Sequence, residues 1–98
     1  MVVHVWCIQD SRGMRDFETC DDYSAYAKKL ALKLRALRRE RGFTQEFVAY
    51  SSGISTYTYQ KFEKGESKPG TPLNPRLSTL YALALTFGVD VRELLSFD

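Results

Sequence analysis

Apolar residues along this chain recur at helical spacing, and glycine or proline marks the breaks between stretches. From Tyr23 to Arg41, the residues Tyr23, Tyr26, Ala27, Leu30, Leu34 and Leu37 fall on one side of a helix, which predicts a buried stripe. Asp21 and Asp22 precede it, where acids favour a helix N-terminus. Its other side carries Lys28, Lys29, Lys33, Arg35, Arg39 and Arg41, a pattern that more often means a solvated face than a contact. Gly42 ends the helix, and Phe43 turns back toward the core. A later helix is expected from about Arg76 to Phe87, with Leu77, Leu80, Tyr81, Ala84 and Phe87 inward. Leu83 and Leu85 widen its apolar arc beyond one face, as on a helix covered on more than one side. Gly88 stops it, and Asp90 caps a last short helix through about Leu95.

Between these lies the segment Thr44 to Gly65, with the grammar of two short helices around a glycine-centred turn. Thr44 is an N-cap whose hydroxyl can accept a first-turn N–H. Phe47 and Val48 give the first of the two helices an apolar face, and the small Ala49 permits close crossing. Gly53 sits where the chain must take a positive φ, which glycine reaches without a steric penalty. Ile54 plugs the turn. Ser55 caps the second helix, whose inner face is Tyr59 and Phe62. Its outer face, Thr56, Tyr57, Gln60, Lys61 and Lys64, is polar and basic and holds no acid. Gly65 ends it. The stretch Glu66 to Pro75 contains the chain's three prolines, which predicts a loop with neither helix nor strand.

With Arg35 to Phe43 before it and Leu77 to Leu95 after it, this segment resembles the phage-repressor and Cro-type (XRE) helix-turn-helix family over roughly 23–98. The resemblance implies an all-α, five-helix repressor-like domain whose third helix enters the DNA major groove. By position it implies that Gln45 bonds a phosphate, that Thr56, Tyr57 and Lys61 face base edges, and that Arg38 and Glu63 form an internal salt bridge. Two residues depart from the pattern. Tyr59 is bulkier than the usual aliphatic residue, and Glu66 stands where a basic residue often meets phosphate.

The residue chemistry adds detail. Lys61 can donate to guanine O6 or N7, and Gln60 can pair with adenine. Thr56 can bond a base or touch a thymine methyl, while Tyr57 can stack on a sugar or donate its hydroxyl. Gln45, Ser55, Lys64 and Lys68 are candidates for phosphate contact, supported by free N–H groups at helix starts. The proline-rich loop either runs beside the DNA backbone, with Lys68 at a phosphate, or serves as a rigid spacer. One short helix offers few contacts. A homodimer on an inverted repeat, with half-sites about 34 Å apart, is the expected solution.

Charge fits this picture without deciding it. Residues 1–22 carry two basic and five acidic side chains, net −3, and residues 23–98 carry twelve and seven, net +5. The 98 residues suit one domain, and no apolar run is long enough for a membrane helix. No secretory signal pattern opens the chain, so a cytoplasmic location is expected. Cys7 and Cys20 are expected to be reduced thiols. With His4 as the single histidine, the usual four ligands of a structural zinc site are not available, so neither metal nor cofactor is expected. An enzyme is not expected either, since there is no phosphate-binding loop, zinc-protease pair or nucleophile elbow. Residues 1–22 read as an irregular arm. Val2 to Ile8 forms a strand-like run without a partner, and Ser11 and Gly13 are turn signals. The alternatives are a docked segment or a strand pairing with another subunit. Met14 is an alternative start that would leave residues 1–13 outside the domain. A competing function is a partner-binding module, such as an antitoxin or a control protein of a restriction–modification operon. In the antitoxin case residues 1–22 would fold on a basic protein partner.

Overall fold

The computed structural model describes residues 21–97. The readings made for the arm, including Val2 to Ile8, His4, Cys7, Met14 and Cys20, lie outside the described residues. Helix α1 spans Asp21–Arg41, α2 Gln45–Ser52, α3 Thr56–Lys64, α4 Leu77–Phe87 and α5 Val91–Leu94. Five helices therefore make up the described domain, as expected. Helix α1 starts two residues earlier than its apolar stripe suggests and includes Asp21 and Asp22.

The stops and starts follow the predicted local chemistry. Thr44 Oγ1 accepts from the Phe47 N–H at 3.0 Å, and Ser55 Oγ accepts from the Thr58 N–H at 3.0 Å. Asp90 Oδ1 accepts from the Arg92 N–H at 2.9 Å. Each bond satisfies a first-turn donor that the helix itself leaves open. Gly42, Gly53, Gly65 and Gly88 all follow helices with positive φ. At Gly65, φ is +79°, and a Cβ there would lie 3.3 Å from the Ala27 carbonyl oxygen and the Lys28 Cα. The positive φ favours glycine there, and a side chain would also crowd the α1 backbone.

One expectation fails. The segment after α3 is not structureless: β1 (Glu66–Lys68) pairs antiparallel with β2 (Thr71–Pro72). The pairing sets Glu66 opposite Pro72 and Lys68 opposite Thr71, with an irregularity between Glu66 and Lys68. Pro69 and Gly70 take the central turn positions, and Gly70 has φ +82°, the order that suits a type II turn. In a two-stranded ribbon every strand is an edge, so Pro72 can sit where no N–H is needed. Backbone contacts then anchor the hairpin: the Leu73 N–H donates to the Gly65 carbonyl at 2.9 Å, and the Tyr23 hydroxyl donates to the Leu73 carbonyl.

The core gathers Ala27, Leu30, Leu34 and Leu37 of α1 with Val48, Ala49, Tyr59, Phe62, Leu73, Leu83, Ala84, Phe87 and Leu94. Helix α4 faces differently from the expectation. Leu83 is buried with Ala84 and Phe87, whereas Leu77 is 74% and Tyr81 58% exposed. The helix is apolar nearly all round, so its own periodicity does not select the inward face; packing against α2 does. The Ser52 hydroxyl on α2 lies 3.0 Å from Thr86 Oγ1, whose proton goes to the Ala82 carbonyl, so Ser52 is the donor. Phe47 is likewise not a core residue. It is 46% exposed, and its ring leans on Phe43 at 4.7 Å between centroids.

Candidate nucleic-acid interface

Helix α3 is held from beneath by a polar cluster built into an apolar floor. Tyr59 and Phe62 are buried, and between them and the helix end Glu63 is only 5% exposed. A carboxylate so placed needs partners, because burial disfavours its charge. Arg38 of α1 supplies two: Nε donates to Glu63 Oε2 at 2.6 Å and the other end of the fork to Oε1 at 3.1 Å. The pair expected from the resemblance is therefore present, in bidentate form. Gln45 Nε2 adds a bond to Oε1 at 3.0 Å. Burial pushes the Glu63 carboxyl upward, but the Arg38, Tyr59 and Gln45 side chains and the Arg38 charge outweigh it and hold it below the ordinary carboxylate range. Arg38 also donates to the Phe43 carbonyl at 3.2 Å, tying the turn between α1 and α2 to the same cluster. The Tyr59 hydroxyl is buried and makes no hydrogen bond of regular geometry among the described residues. Burial, followed by the neighbouring Glu63 carboxylate, pushes its pKa far up.

The outer side of α3 presents the predicted residues in two hollows that share Lys64. One, of about 350 Å³, is lined by Arg35, Gln45, Gln60, Glu63 and Lys64. Gln60 Nε2 donates to Gln45 Oε1 at 3.3 Å, so the two amides form a chain that ends on Glu63. The other, of about 330 Å³, lies between α3 and the hairpin. It is lined by Tyr57, Lys61, Lys64, Glu66, Ser67, Lys68 and Pro69. Lys61 Nζ stands 4.5 Å from the centre of the Tyr57 ring. Glu66 is paired with Lys28 at 3.9 Å, which offsets the acid in an otherwise basic cleft.

Two candidates line neither hollow. Thr56 is half-buried at the start of α3. The Ser55 hydroxyl is taken up locally, accepting from the Thr58 N–H and donating to Thr58 Oγ1 at 2.9 Å. What the N-terminus of α3 still offers an anion is its first-turn N–H groups. Sequence reasoning missed the part played by Arg35, which it read as solvated. Arg35 donates to the Glu63 carbonyl at 3.2 Å and lines the first hollow. Its position three residues before Arg38, on the same side of α1, was the available signal. Gln45 as a ligand of Glu63 had no local signal at all. Among the described residues no group of three or more His, Cys, Asp or Glu gathers in a metal-binding arrangement, and no helix is long and apolar enough to cross a membrane.

Comparison with known proteins agrees with this geometry. Residues 32–96 match the family model described as "Helix-turn-helix domain". The chain is 41% identical over 64 residues to the "Cryptic phage CTXphi transcriptional repressor RstR" of Vibrio cholerae, covering 65% of this chain and 52% of that one. It is 39% identical over 67 residues to the "HTH-type transcriptional regulator DdrOP3" of Deinococcus deserti, covering 68% and 47%. A third relative, the "Uncharacterized HTH-type transcriptional regulator y4dJ" of Sinorhizobium fredii, is 42% identical over 60 residues, covering 61% and 70%. The chain thus spans about half the length of the first two relatives. No solved structure matches it.

Proposed function

This chain belongs to the helix-turn-helix domain family, and on that premise we propose that it is a sequence-specific double-stranded-DNA-binding transcriptional regulator of the repressor kind. The observation that carries the reading is the contrast across α3. Its inner side is fixed by a bidentate ion pair, while its outer side, Tyr57, Gln60, Lys61 and Lys64, is polar, basic and free of acids. A helix so braced can enter the major groove as a rigid body. Lys61, Gln60, Thr56 and Tyr57 are assigned to base edges. Lys64, Lys68, Gln45 and the N-terminus of α3 around Ser55 are assigned to phosphates. In the hairpin, Lys68 forms part of the wall of the cleft beside α3.

The active form is a homodimer on an inverted repeat. Leu77, Tyr81 and Leu85 repeat every four residues along the outside of α4, at 74, 58 and 63% exposure. No charged residue interrupts the chain from Leu77 to Val89. Such a face suits a second, equally uncharged copy of itself. The protein acts in the cytoplasm as a binding protein rather than an enzyme.

Selection from a random duplex library at near-physiological salt tests the reading. Enrichment of an inverted repeat is the expected result. Failure of folded protein to enrich any sequence would overturn it.

A further inference from the structure

We propose that Tyr57 is a positioning residue for Lys61: its ring holds the Lys61 ammonium at the mouth of the cleft between α3 and the hairpin, so that base reading by Lys61 depends on Tyr57. The inference rests on the reading of α3 as the base-reading helix. Tyr57 and Lys61 stand one helical turn apart, and Nζ lies 4.5 Å from the ring centre, within cation–π range. The Tyr57 ring is 68% exposed and is not part of the core, so it has no packing task that would explain an aromatic residue there.

The choice of partner matters chemically. Lys64 and Lys68 line the same cleft, and Glu66 in it is paired with Lys28. Among the described residues Lys61 makes no ion pair. A carboxylate partner would neutralise the ammonium and occupy its N–H donors. An aromatic face attracts the charge while leaving the donors free for guanine O6 or N7. A lysine stem has several rotatable bonds, and fixing it on one base costs entropy. The stack removes part of that cost before DNA arrives. It also covers one face of the ring, the surface that direct stacking on a sugar would use.

The test compares wild type, Tyr57→Phe, Tyr57→Leu, Lys61→Ala and the Tyr57→Leu/Lys61→Ala double variant. Each is titrated with the selected operator and with its single-base-pair variants. Lys61→Ala should flatten discrimination at one base pair. Tyr57→Leu should reduce discrimination at that same pair by roughly two- to fivefold, Tyr57→Phe should retain it, and Tyr57→Leu should add nothing at that pair once Lys61 is gone. No effect of Tyr57→Leu at the Lys61 base pair, or an effect there that persists without Lys61, overturns the assignment. A second readout needs no DNA. The ε protons of Lys61 should show an upfield ring-current shift in the free protein, kept in Tyr57→Phe and lost in Tyr57→Leu. A clear operator without that shift sinks only the positioning role, whereas a selection that returns no sequence sinks the underlying reading and this assignment with it.

Discussion

Helices α3 and α4 both bury one side in the same core, yet their outer sides are opposites. Helix α3 shows Tyr57, Gln60, Lys61 and Lys64; α4 shows Leu77, Tyr81 and Leu85. Their inner sides differ as well. Helix α4 inserts Leu83, Ala84 and Phe87, with one hydroxyl pair to α2. Helix α3 inserts Tyr59 and Phe62 but also the charged Glu63. An apolar inner face permits many small adjustments of a helix. A bidentate ion pair specifies one register, because both carboxylate oxygens and the guanidinium fork must meet. The element that must hold an exact pose against a ligand is the one fixed by directional bonds, and the element with the apolar outer stripe is suited to associate with another protein surface.

The largest expected effect comes from breaking the α3 anchor. Glu63→Ala leaves Arg38 without its partner and should cost about 3–5 kcal/mol of unfolding free energy, measured by denaturant titration. A loss below about 1 kcal/mol would mean that the pair does not brace the helix. Acid should act in the same direction. Because the folded-state pKa of Glu63 lies below its ordinary 4.5, its contribution is complete above that value and is lost as pH falls through the lower folded pKa. Glu63→Gln should therefore flatten the acid limb of the stability profile, seen as a smaller difference in Tm between neutral pH and pH about 3.

On the other helix, Tyr81→Glu should leave the monomer folded but dissociate the proposed dimer. Burying such a side chain is worth about 1.5–3 kcal/mol per copy, and the substitution adds a like-charge clash at a two-fold contact. Analytical ultracentrifugation would detect it, and an unchanged dimer would move the interface elsewhere. The outer face of α3 is expected to respond in binding alone. Lys61→Ala should cost about 1–3 kcal/mol of discrimination at one base pair, with unfolding free energy within about 0.5 kcal/mol of wild type. The smallest effect is expected from Tyr59→Phe. Its hydroxyl lacks a regular hydrogen bond among the described residues, so stability should move by less than about 1 kcal/mol, in contrast with its neighbour Glu63.

Much of this was legible locally. Thr44, Ser55 and Asp90 act as caps, and Gly42, Gly53, Gly65 and Gly88 as stops, because those roles depend on a few adjacent residues. The Arg38–Glu63 pair was legible through family resemblance, and Tyr59 and Phe62 through spacing. The errors share a cause. The Pro69-Gly70 turn and the edge position of Pro72 make a hairpin from residues that, one by one, argue against strands. Leu77 and Tyr81 are expected inward, and Phe47 on an apolar face, because an apolar residue on a short helix does not reveal which neighbour covers it. Gln45 reaches Glu63 across 18 positions of sequence, and no local pattern encodes that bond.

The most direct measurement is affinity for the selected operator and for a scrambled duplex of equal length, from about 50 to 200 mM salt, for wild type and Lys61→Ala. Both affinities should fall steeply with salt, wild type should keep a clear preference for the operator at every point, and Lys61→Ala should narrow that preference. Equal affinity for the two duplexes, or a preference unmoved by Lys61→Ala, would contradict the claim that the outer face of α3 reads DNA.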